Sequence, residues 1–392
     1  REIRAAMSQG QENYRASRSA KGASLPFAGV AEIAPEQVPD FYSAGFGFGS
    51  RDLAPADLVL AVENMLPGGR KRRQYYLGID FIREGTKLPK LEIWQEQLLE
   101  HYPDLADGAL VPEEAINLLP EDAISLRIHS VGGWGAITMG KNVVMTVNEL
   151  AGMNVKANPK YGSEKKGQPT TFYGVMSRKP LRLNGELKFV NVVLSPDPNV
   201  FLNSNPLAGM QPGGVFVIQS DHGPEALWDS LPPQARRVIQ EKGIKVYAVD
   251  AFKIATEEAT DPDLRYRMQG TAFMGAFFRT SPFMEAEGLD EETLFEAMRH
   301  QLQKKFGHLG EHVVEANLKV IRRGFDEVVE VQTVGELVAA GQVMAEAAVG
   351  QIPKMLDHPD QEWGIGNQGR FWEQVCSLCG IDQDVIADPF SA

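Results

Sequence analysis

SLRIHSVGGWGAITMGK, residues 125–141, contains a short apolar run, a glycine-rich turn and the beginning of a helix. The run Leu126–Ser130 predicts a buried strand, and a helical pattern continues from Ala136 to Ala151. A turn that joins a strand to a helix presents free backbone N–H groups at the helix N-terminus, where the helix dipole favours negative charge. The stretch therefore predicts a site for an anionic, phosphate-bearing molecule at the Gly132–Gly135 turn.

A polar loop with two adjacent lysines follows, YGSEKKG at residues 161–167. Glycines at both ends permit backbone conformations that other residues disfavour. Lys165 and Lys166 concentrate positive charge in an acidic chain, and we expect them to supply the countercharge for the anion. The alternative is a solvated charged loop, which is the commoner role of such runs.

The glycine turn matches neither of the familiar nucleotide-binding motifs. Its spacing differs from the G-x-G-x-x-G of dinucleotide-binding folds, and no acidic residue closes a second strand to hold a ribose. It is not a P-loop, because Gly140-Lys141 is followed by Asn142 rather than by Ser or Thr. Thr138 and Lys141 lie in the first turns of the helix, where they reach either an anion or solvent. Taken alone, the turn is equally well interpreted as an ordinary strand-to-helix connection.

Short apolar runs alternate with helical segments from residue 125 onward. Strands are predicted at 126–130, 171–177, 189–194, 214–219 and 244–249, and helices at 136–151, 225–241, 252–258, 265–278, 291–306 and 311–328. This alternation predicts an α/β fold with a mostly parallel sheet flanked by helices. Ligands of such sheets bind beyond the carboxyl ends of the strands, which is where the glycine turn lies.

The chain divides into four segments by composition. Residues 1–40 are predicted to be an arm or linker with at most one helical turn. Residues 41–122 form a small α/β segment, with helices at 52–66 and 90–101 and a strand at 75–81, followed by an acidic connector. Residues 123–330 form the main domain, and 331–392 a helical and irregular tail. The sequence begins at Arg1 and ends abruptly at Ala392, which suggests a cut inside a longer polypeptide.

Composition and charge restrict the class of protein. The chain has 392 residues, of which 43% are hydrophobic and 23% are charged, as in ordinary globular proteins. Its net charge of −13 argues against nucleic-acid binding and against docking on an anionic membrane. No apolar run approaches the length of a membrane span, and no signal peptide is recognisable. Two cysteines suit a reducing compartment, so we expect a cytoplasmic protein.

Other chemistry-bearing residues support no complete active site and no metal site. Cys376 and Cys379 form a C-x-x-C pair, but a zinc site or an iron–sulfur cluster needs two further ligands, and His358 is the only nearby candidate. Free thiols are therefore the favoured interpretation. The turn at 195–199 either shapes a pocket floor or is a proline-fixed turn with Asx capping. His222 is a candidate proton-transfer group, although a lone histidine in a loop is usually only solvated.

Several segments together resemble one enzyme family. IHSVGGWGAITMGKN at 128–142 resembles the opening of the gamma domain of 2-oxoacid:ferredoxin oxidoreductases, the pyruvate:ferredoxin oxidoreductase family. The loop at 161–167 resembles the second loop of that domain. Further similar segments follow in the family's order: GGVF at 213–216, ALW at 226–228 and VDAFKIA at 249–255. Upstream, GFGFGSRD at 45–52 and YLGID at 76–80 resemble the end of the alpha part, which precedes the gamma domain in fused enzymes.

The resemblance implies both an activity and an assembly. These enzymes use thiamine diphosphate and Mg to decarboxylate a 2-oxoacid oxidatively, pass electrons singly through [4Fe-4S] clusters to ferredoxin, and usually form an acyl-CoA. The thiamine and cluster sites belong to other domains or subunits. The gamma domain helps to bind coenzyme A, so the resemblance implies that this chain is a subunit or fragment of such an oxidoreductase. By analogy, the phosphates would be held by Gly132, Gly133, Trp134, Gly135, Thr138 and Lys141, and by Tyr161, Gly162, Ser163, Lys165, Lys166 and Gly167.

Departures from the family pattern leave two other functions open. The chain has no thiamine motif and no ferredoxin-like cysteine array, its tail resembles no part of the family, and some relatives act without coenzyme A. A non-catalytic assembly subunit, with a purely structural glycine turn, is one alternative. A nicotinamide-dependent dehydrogenase domain is another, against which the poor fingerprint argues.

Overall fold

The computed structural model describes residues 2–19, 24–47, 53–78, 99–100, 103–113, 115–161, 167–183, 185–259 and 265–333. The C-x-x-C pair, His358 and most of the predicted helix at 90–101 lie outside these residues. The described strands are β1 Ser43–Gly45, β2 Gln74–Tyr76, β3 Ile124–Val131, β4 Asn154–Tyr161, β5 Pro169–Ser177, β6 Val190–Ser195, β7 Met210–Gln219, β8 Lys245–Val249 and β9 Val329–Val331.

Helices alternate with these strands along the described part of the chain. They are α1 Glu2–Ser19, α2 Pro55–Met65, α3 Asp104–Gly108, α4 Ala136–Ala151, α5 Val200–Asn203, α6 Pro224–Ser230, α7 Pro233–Lys242, α8 Ala251–Glu258, α9 Arg265–Thr280, α10 Phe283–Glu287, α11 Glu291–Phe306 and α12 Glu311–Asp326. Short 3-10 turns lie at Pro35–Gln37 and Gly307–Leu309. None of the described helices is long and apolar enough to cross a membrane.

The main domain is built on a seven-stranded sheet in the order β4-β5-β3-β6-β7-β8-β9. The four central strands β3, β6, β7 and β8 are parallel to one another, as predicted for an α/β fold. Antiparallel pairing occurs toward the two edges, between β3, β5 and β4 on one side and between β8 and β9 on the other. The small sheet that precedes this domain pairs β1 and β2 in parallel.

Each face of the large sheet carries its own hydrophobic core, because successive side chains of a strand point to opposite faces. On β3, Leu126 and Ile128 belong to the larger core, which α4, α8, α9, α11 and α12 cover. The other core lies beneath α6 and α7 and includes Trp228 and Ile239. Helices on both faces make three layers, and the turn after β3 lies at the edge of the larger core.

Two glycines bring α9 and α12 into backbone contact. A Cβ atom added to Gly275 would lie 2.0 Å from the Ile321 carbonyl oxygen, and one added to Gly324 would lie 2.0 Å from the Ala272 carbonyl oxygen. Neither position has room for a side chain, so the two helices pack more closely than larger residues would allow. This packing fixes the wall of the larger core that faces α4.

The structure corrects several sequence-based element predictions. Residues 154–161 form strand β4, although only a polar loop was predicted near its end. The predicted helix at 225–241 is two helices, because Pro232 and Pro233 interrupt the backbone hydrogen-bond ladder. Residues 2–19 form a helix of 18 residues rather than one turn. The Asn13 side chain holds this helix to the following segment through the Phe27 backbone N–H, at 2.9 Å, and the Val30 carbonyl oxygen, at 2.9 Å.

Candidate functional site

The glycine turn connects β3 to α4 through two left-handed residues. Gly133 has a φ of 99° and Gly135 a φ of 83°, a region that residues with a side chain rarely adopt. Gly135 is the N-cap of α4, and its carbonyl oxygen accepts the Met139 N–H at 2.9 Å. No side chain in the described part of the chain caps this helix. The N–H groups of its first turn are therefore not occupied by a side-chain acceptor there.

The turn packs tightly against the beginning of α9. A Cβ atom added to Gly135 would lie 3.1 Å from the Arg267 carbonyl oxygen. The Trp134 ring stacks on Tyr266, with centroids 5.7 Å apart, and meets Phe252 edge-on at 5.2 Å. Trp134 thus anchors the turn to α8 and α9.

The end of the predicted lysine loop meets this turn. The Gly167 N–H donates to the Gly132 carbonyl oxygen at 3.0 Å, and the Gly132 N–H donates to the Gln168 carbonyl oxygen at 2.7 Å. At the start of the loop, Tyr161 is the last residue of β4 and pairs with Thr170. Gly162, Ser163, Lys165 and Lys166 lie outside the described residues. Both ends of the loop are therefore located at the carboxyl end of β3.

A cleft of about 700 Å³ opens beside the turn, between α4 on one side and α9, α11 and α12 on the other. Five of the residues predicted for the anion site line it: Gly132, Gly133, Gly135, Thr138 and Lys141. Thr138 and Lys141 are exposed to solvent. The apolar residues of its wall include Ile137, Met139, Met268, Met274, Leu302, Phe306, Leu309, Val313 and Ile321.

The charged residues of the cleft are all cationic in the described part of the chain. Lys141, Arg267 and Lys305 line it, no described carboxylate does, and none of the three forms an ion pair with a described acidic residue. The Lys305 Nζ donates to the Asn142 Oδ1 at 3.1 Å. Partial burial, and then the charge of Lys141, lowers the pKa of Lys305. The mouth of the cleft thus holds positive charge that favours an anion.

Sequence reasoning did not identify Arg267 or Lys305 as candidate site residues. Both lie on predicted helices, Arg267 in the first turn of α9 and Lys305 in the last turn of α11. No spacing motif connects them with the glycine turn, because they reach it only when the helices fold over the larger core. No local sequence pattern indicated that Arg267 and Lys305 would lie beside the glycine turn.

Two other candidates lie outside the lining of the cleft. The backbone N–H of Asn199 donates to Asp197 Oδ1 at 2.9 Å, and Ser195 Oγ donates to the Asp197 carbonyl oxygen at 2.8 Å. These bonds confirm the interpretation of an Asx-capped turn, and burial raises the pKa of Asp197. The His222 side chain is 65% exposed, with Nδ1 3.5 Å from Asp221 Oδ1. Within the described residues, no group of three or more His, Cys, Asp or Glu side chains is arranged to hold a metal ion.

Known proteins match the domain that carries this site. The model of the family described as pyruvate ferredoxin/flavodoxin oxidoreductase matches residues 125–327, just over half of the chain. The common gamma subunit of the pyruvate/ketoisovalerate oxidoreductases of Thermococcus litoralis is 27% identical over 206 residues, which cover 53% of this chain and 97% of that subunit. Pyruvate:ferredoxin oxidoreductase of Moorella thermoacetica is 22% identical over 287 residues, which cover 73% of this chain.

The chain is much shorter than the second of these relatives, since the match covers only 22% of the Moorella thermoacetica protein. Among solved structures, the pyruvate oxidoreductase subunit PORC of Thermotoga maritima superposes with a TM-score of 0.41 and 21% sequence identity. That superposition covers 54% of this chain and 100% of the subunit.

Proposed function

The chain belongs to the pyruvate ferredoxin/flavodoxin oxidoreductase family, and we propose that it contributes the coenzyme A-binding gamma domain of a 2-oxoacid:ferredoxin oxidoreductase. The proposed reaction is the thiamine-dependent oxidative decarboxylation of a 2-oxoacid to an acyl-CoA. Family membership supports the class of enzyme. The role of this chain in binding coenzyme A is supported by its own residues.

The observation that carries the proposal is the junction of the glycine turn with the lysine loop. Coenzyme A bears a diphosphate and a ribose phosphate, and a helix N-terminus with adjacent cations suits such groups. The first turn of α4 offers backbone N–H groups, Lys141 lies one turn further on, and Gly167 brings the end of the lysine loop to Gly132. The residues therefore fit a phosphate-bearing substrate.

The proposed binding residues are those of the turn and the loop. Backbone N–H groups at Gly133, Gly135 and the start of α4 would bind phosphate oxygens, and Thr138, Lys141, Lys165 and Lys166 would add side-chain donors. Trp134 would act by position, because its ring holds the turn on α9 through Tyr266. Tyr161, Gly162, Ser163 and Gly167 would shape the loop.

The remaining chemistry belongs to partners in this proposal. Thiamine diphosphate with Mg would stabilise the carbanion left by decarboxylation, and [4Fe-4S] clusters would carry single electrons to ferredoxin. Both would be held by thiamine-binding alpha and beta domains or subunits and by a ferredoxin-like domain, in the cytoplasm. This chain would orient coenzyme A toward the thiamine site and help to exclude water from the reactive intermediate.

Calorimetric titration of coenzyme A tests the proposal, with the full chain and with its assembled complex. We expect Lys141→Ala to weaken binding about tenfold or more, because a hydrogen bond to a charged group contributes roughly 1.5–3 kcal/mol. Lys304→Ala is the matched control, because Lys304 is exposed and does not line the cleft. Absence of coenzyme A binding in both preparations would favour the assembly-subunit alternative. Binding of NAD in place of coenzyme A would favour the dehydrogenase alternative.

A further inference from the structure

The floor of the cleft is apolar. Met139, Met274 and Ile321 line it and are buried, at 3%, 3% and 0% exposure. They belong to the larger hydrophobic core, and the partly exposed side chains of Ile137 and Phe306 add apolar surface that is open to the cleft. Methionine side chains are flexible and polarizable, and they adapt to ligands of varied shape. Phosphate groups at the glycine turn would make no use of this surface.

The mouth of the same cleft is cationic on two opposite sides. Lys141 extends from α4 and Lys305 from α11, and partial burial of Lys305, followed by the charge of Lys141, lowers the pKa of Lys305. Asn142 adds an oxygen that holds the Lys305 ammonium group at 3.1 Å. On the α12 wall, the Asn317 side-chain amide donates to the Val313 carbonyl oxygen at 2.8 Å, so this amide group is engaged within its own helix. Charge at the mouth and apolar surface below it suit an amphiphilic anion.

We propose that this cleft binds an acyl chain carried on an anionic headgroup, with the headgroup between Lys141 and Lys305 and the chain along the partly exposed apolar wall that includes Phe306 and Val313. The volume of about 700 Å³ lies within the range of roughly 300–1,000 Å³ of small-molecule sites. The proposal shares Lys141 with the proposed coenzyme A site, but it does not rest on phosphate binding at the glycine turn, because its apolar surface lies between α4, α9, α11 and α12.

A chain-length series tests the apolar half of the proposal. The full chain is titrated by calorimetry with octanoate, decanoate and dodecanoate, each below the concentration at which it forms micelles. We expect one site whose affinity rises about tenfold for every two methylene groups, because each buried methylene contributes about 0.8 kcal/mol. Equal affinity along the series overturns the proposal. It is also overturned if none of the free acids binds and dodecanoyl-CoA binds no more tightly than coenzyme A.

Two variants test the location. We expect Lys305→Ala to weaken dodecanoate binding about tenfold or more, whereas Lys304→Ala, the adjacent exposed control, leaves the affinity unchanged. Val313→Phe places a larger ring on the half-buried α12 wall, and we expect it to shorten the longest chain that still gains affinity. Dodecanoate binding that none of these changes alters would place the chain elsewhere and overturn the proposal.

A second arm identifies the source of the acyl chain. Dodecanoyl-CoA is compared with coenzyme A itself, and free dodecanoate is measured separately. Binding of the free acid supports the proposal with a fatty acid as the ligand. Dodecanoyl-CoA that binds more tightly than coenzyme A and loses this advantage in Val313→Phe, without binding of the free acid, supports it with an acyl thioester as the ligand. Failure of coenzyme A alone to bind counts against the proposed function and leaves the free-acid result intact.

Discussion

Gly167 donates its backbone N–H to the Gly132 carbonyl oxygen at 3.0 Å, so the end of the lysine loop is bonded to the beginning of the glycine turn. The register between β3 and β5 explains why these two segments lie side by side. β5 runs antiparallel beside β3, with Val131 opposite Pro169, and the next residues in each strand continue the pairing as Gly132 and Gln168. Two segments that the sequence presents separately therefore form one edge of the domain.

The first prediction concerns the two lysines of the loop. In the assembled oxidoreductase, we expect Lys165→Ala combined with Lys166→Ala to raise the KM for coenzyme A at least about tenfold. Each charge-assisted hydrogen bond lost from a phosphate contributes roughly 1.5–3 kcal/mol. The measurement is anaerobic dye reduction with a saturating 2-oxoacid and varied coenzyme A.

Lys245→Ala is the control for this experiment. Lys245 is exposed at the amino end of β8. Because β8 runs parallel to β3, this position lies at the opposite end of the strands from the carboxyl end of β3. We expect its KM to match that of the unchanged enzyme. A double variant whose KM also stays unchanged would contradict the phosphate role of the loop.

The sequence alone was sufficient to predict β3, the glycine turn and α4, which form the first part of the candidate site. A short apolar run located β3, and the left-handed turn required glycine at 133 and 135, so local pattern and local structure agree. The edge strand β4, which pairs with β5, was harder to predict, because its sequence NVKANPKY lacks the apolar alternation of a half-buried strand. Its pairing with β5 comes from tertiary context, which the sequence pattern does not express.

The cationic mouth of the cleft could not be predicted from the sequence, because it depends on how two helices pack. Lys141 and Lys305 come together only because α11 folds over α4, where Gln301 and His300 bond to Glu149 at 2.8 Å each. These polar contacts lie between exposed residues whose types are common on any helix surface. A periodic pattern predicts that such a helix exists and which face is buried, but not which other helix it meets.

The second prediction separates backbone strain from steric contact in the turn. We expect Gly135→Ala to destabilise the chain by about 2–3 kcal/mol, because it adds a side chain to a left-handed residue and places Cβ 3.1 Å from the Arg267 carbonyl oxygen. Gly243→Ala is the matched control, since Gly243 has a φ of 59° with open space around its added Cβ. We expect this control to cost about 1 kcal/mol. Urea unfolding measures both variants, and equal losses would show that contact with α9 does not constrain the turn.

The third prediction concerns the packing of α4 on β5. A Cβ atom added to Gly140 would lie 2.4 Å from the Phe172 ring, which is fully buried. We expect Gly140→Ala to destabilise the chain by about 1–3 kcal/mol through overpacking, despite the better helix propensity of alanine. Phe172→Leu removes the obstructing ring and should itself cost about 1 kcal/mol.

The double variant decides between overpacking and other causes. If the ring is the obstacle, the combined loss in Gly140→Ala with Phe172→Leu should be smaller than the sum of the single losses by at least about 0.5 kcal/mol. Guanidinium unfolding of the four proteins in the cycle gives this coupling. Strict additivity would mean that the two residues do not compete for space.

The fourth prediction concerns the pH dependence of stability. Burial, and then the charge of Arg127, lowers the pKa of His129 well below its ordinary value. Its Nδ1 lies 3.3 Å from the Ser204 hydroxyl, while the buried Nε2 has no hydrogen-bond partner among the described residues. The imidazole is therefore neutral in the folded protein at pH values where the unfolded chain already binds a proton.

The sign of the effect follows from this difference in proton binding. Below about pH 6.5 the unfolded state takes up one more proton at this residue, so the free energy of unfolding falls by about 1.4 kcal/mol per pH unit until the folded pKa is reached. His129→Gln removes this contribution and should flatten the decline between pH 6.5 and 5.5. Urea unfolding at each pH gives the slopes, with His222→Gln as the exposed control. A slope in His129→Gln equal to that of the unchanged chain would show that His129 is not the titrating group.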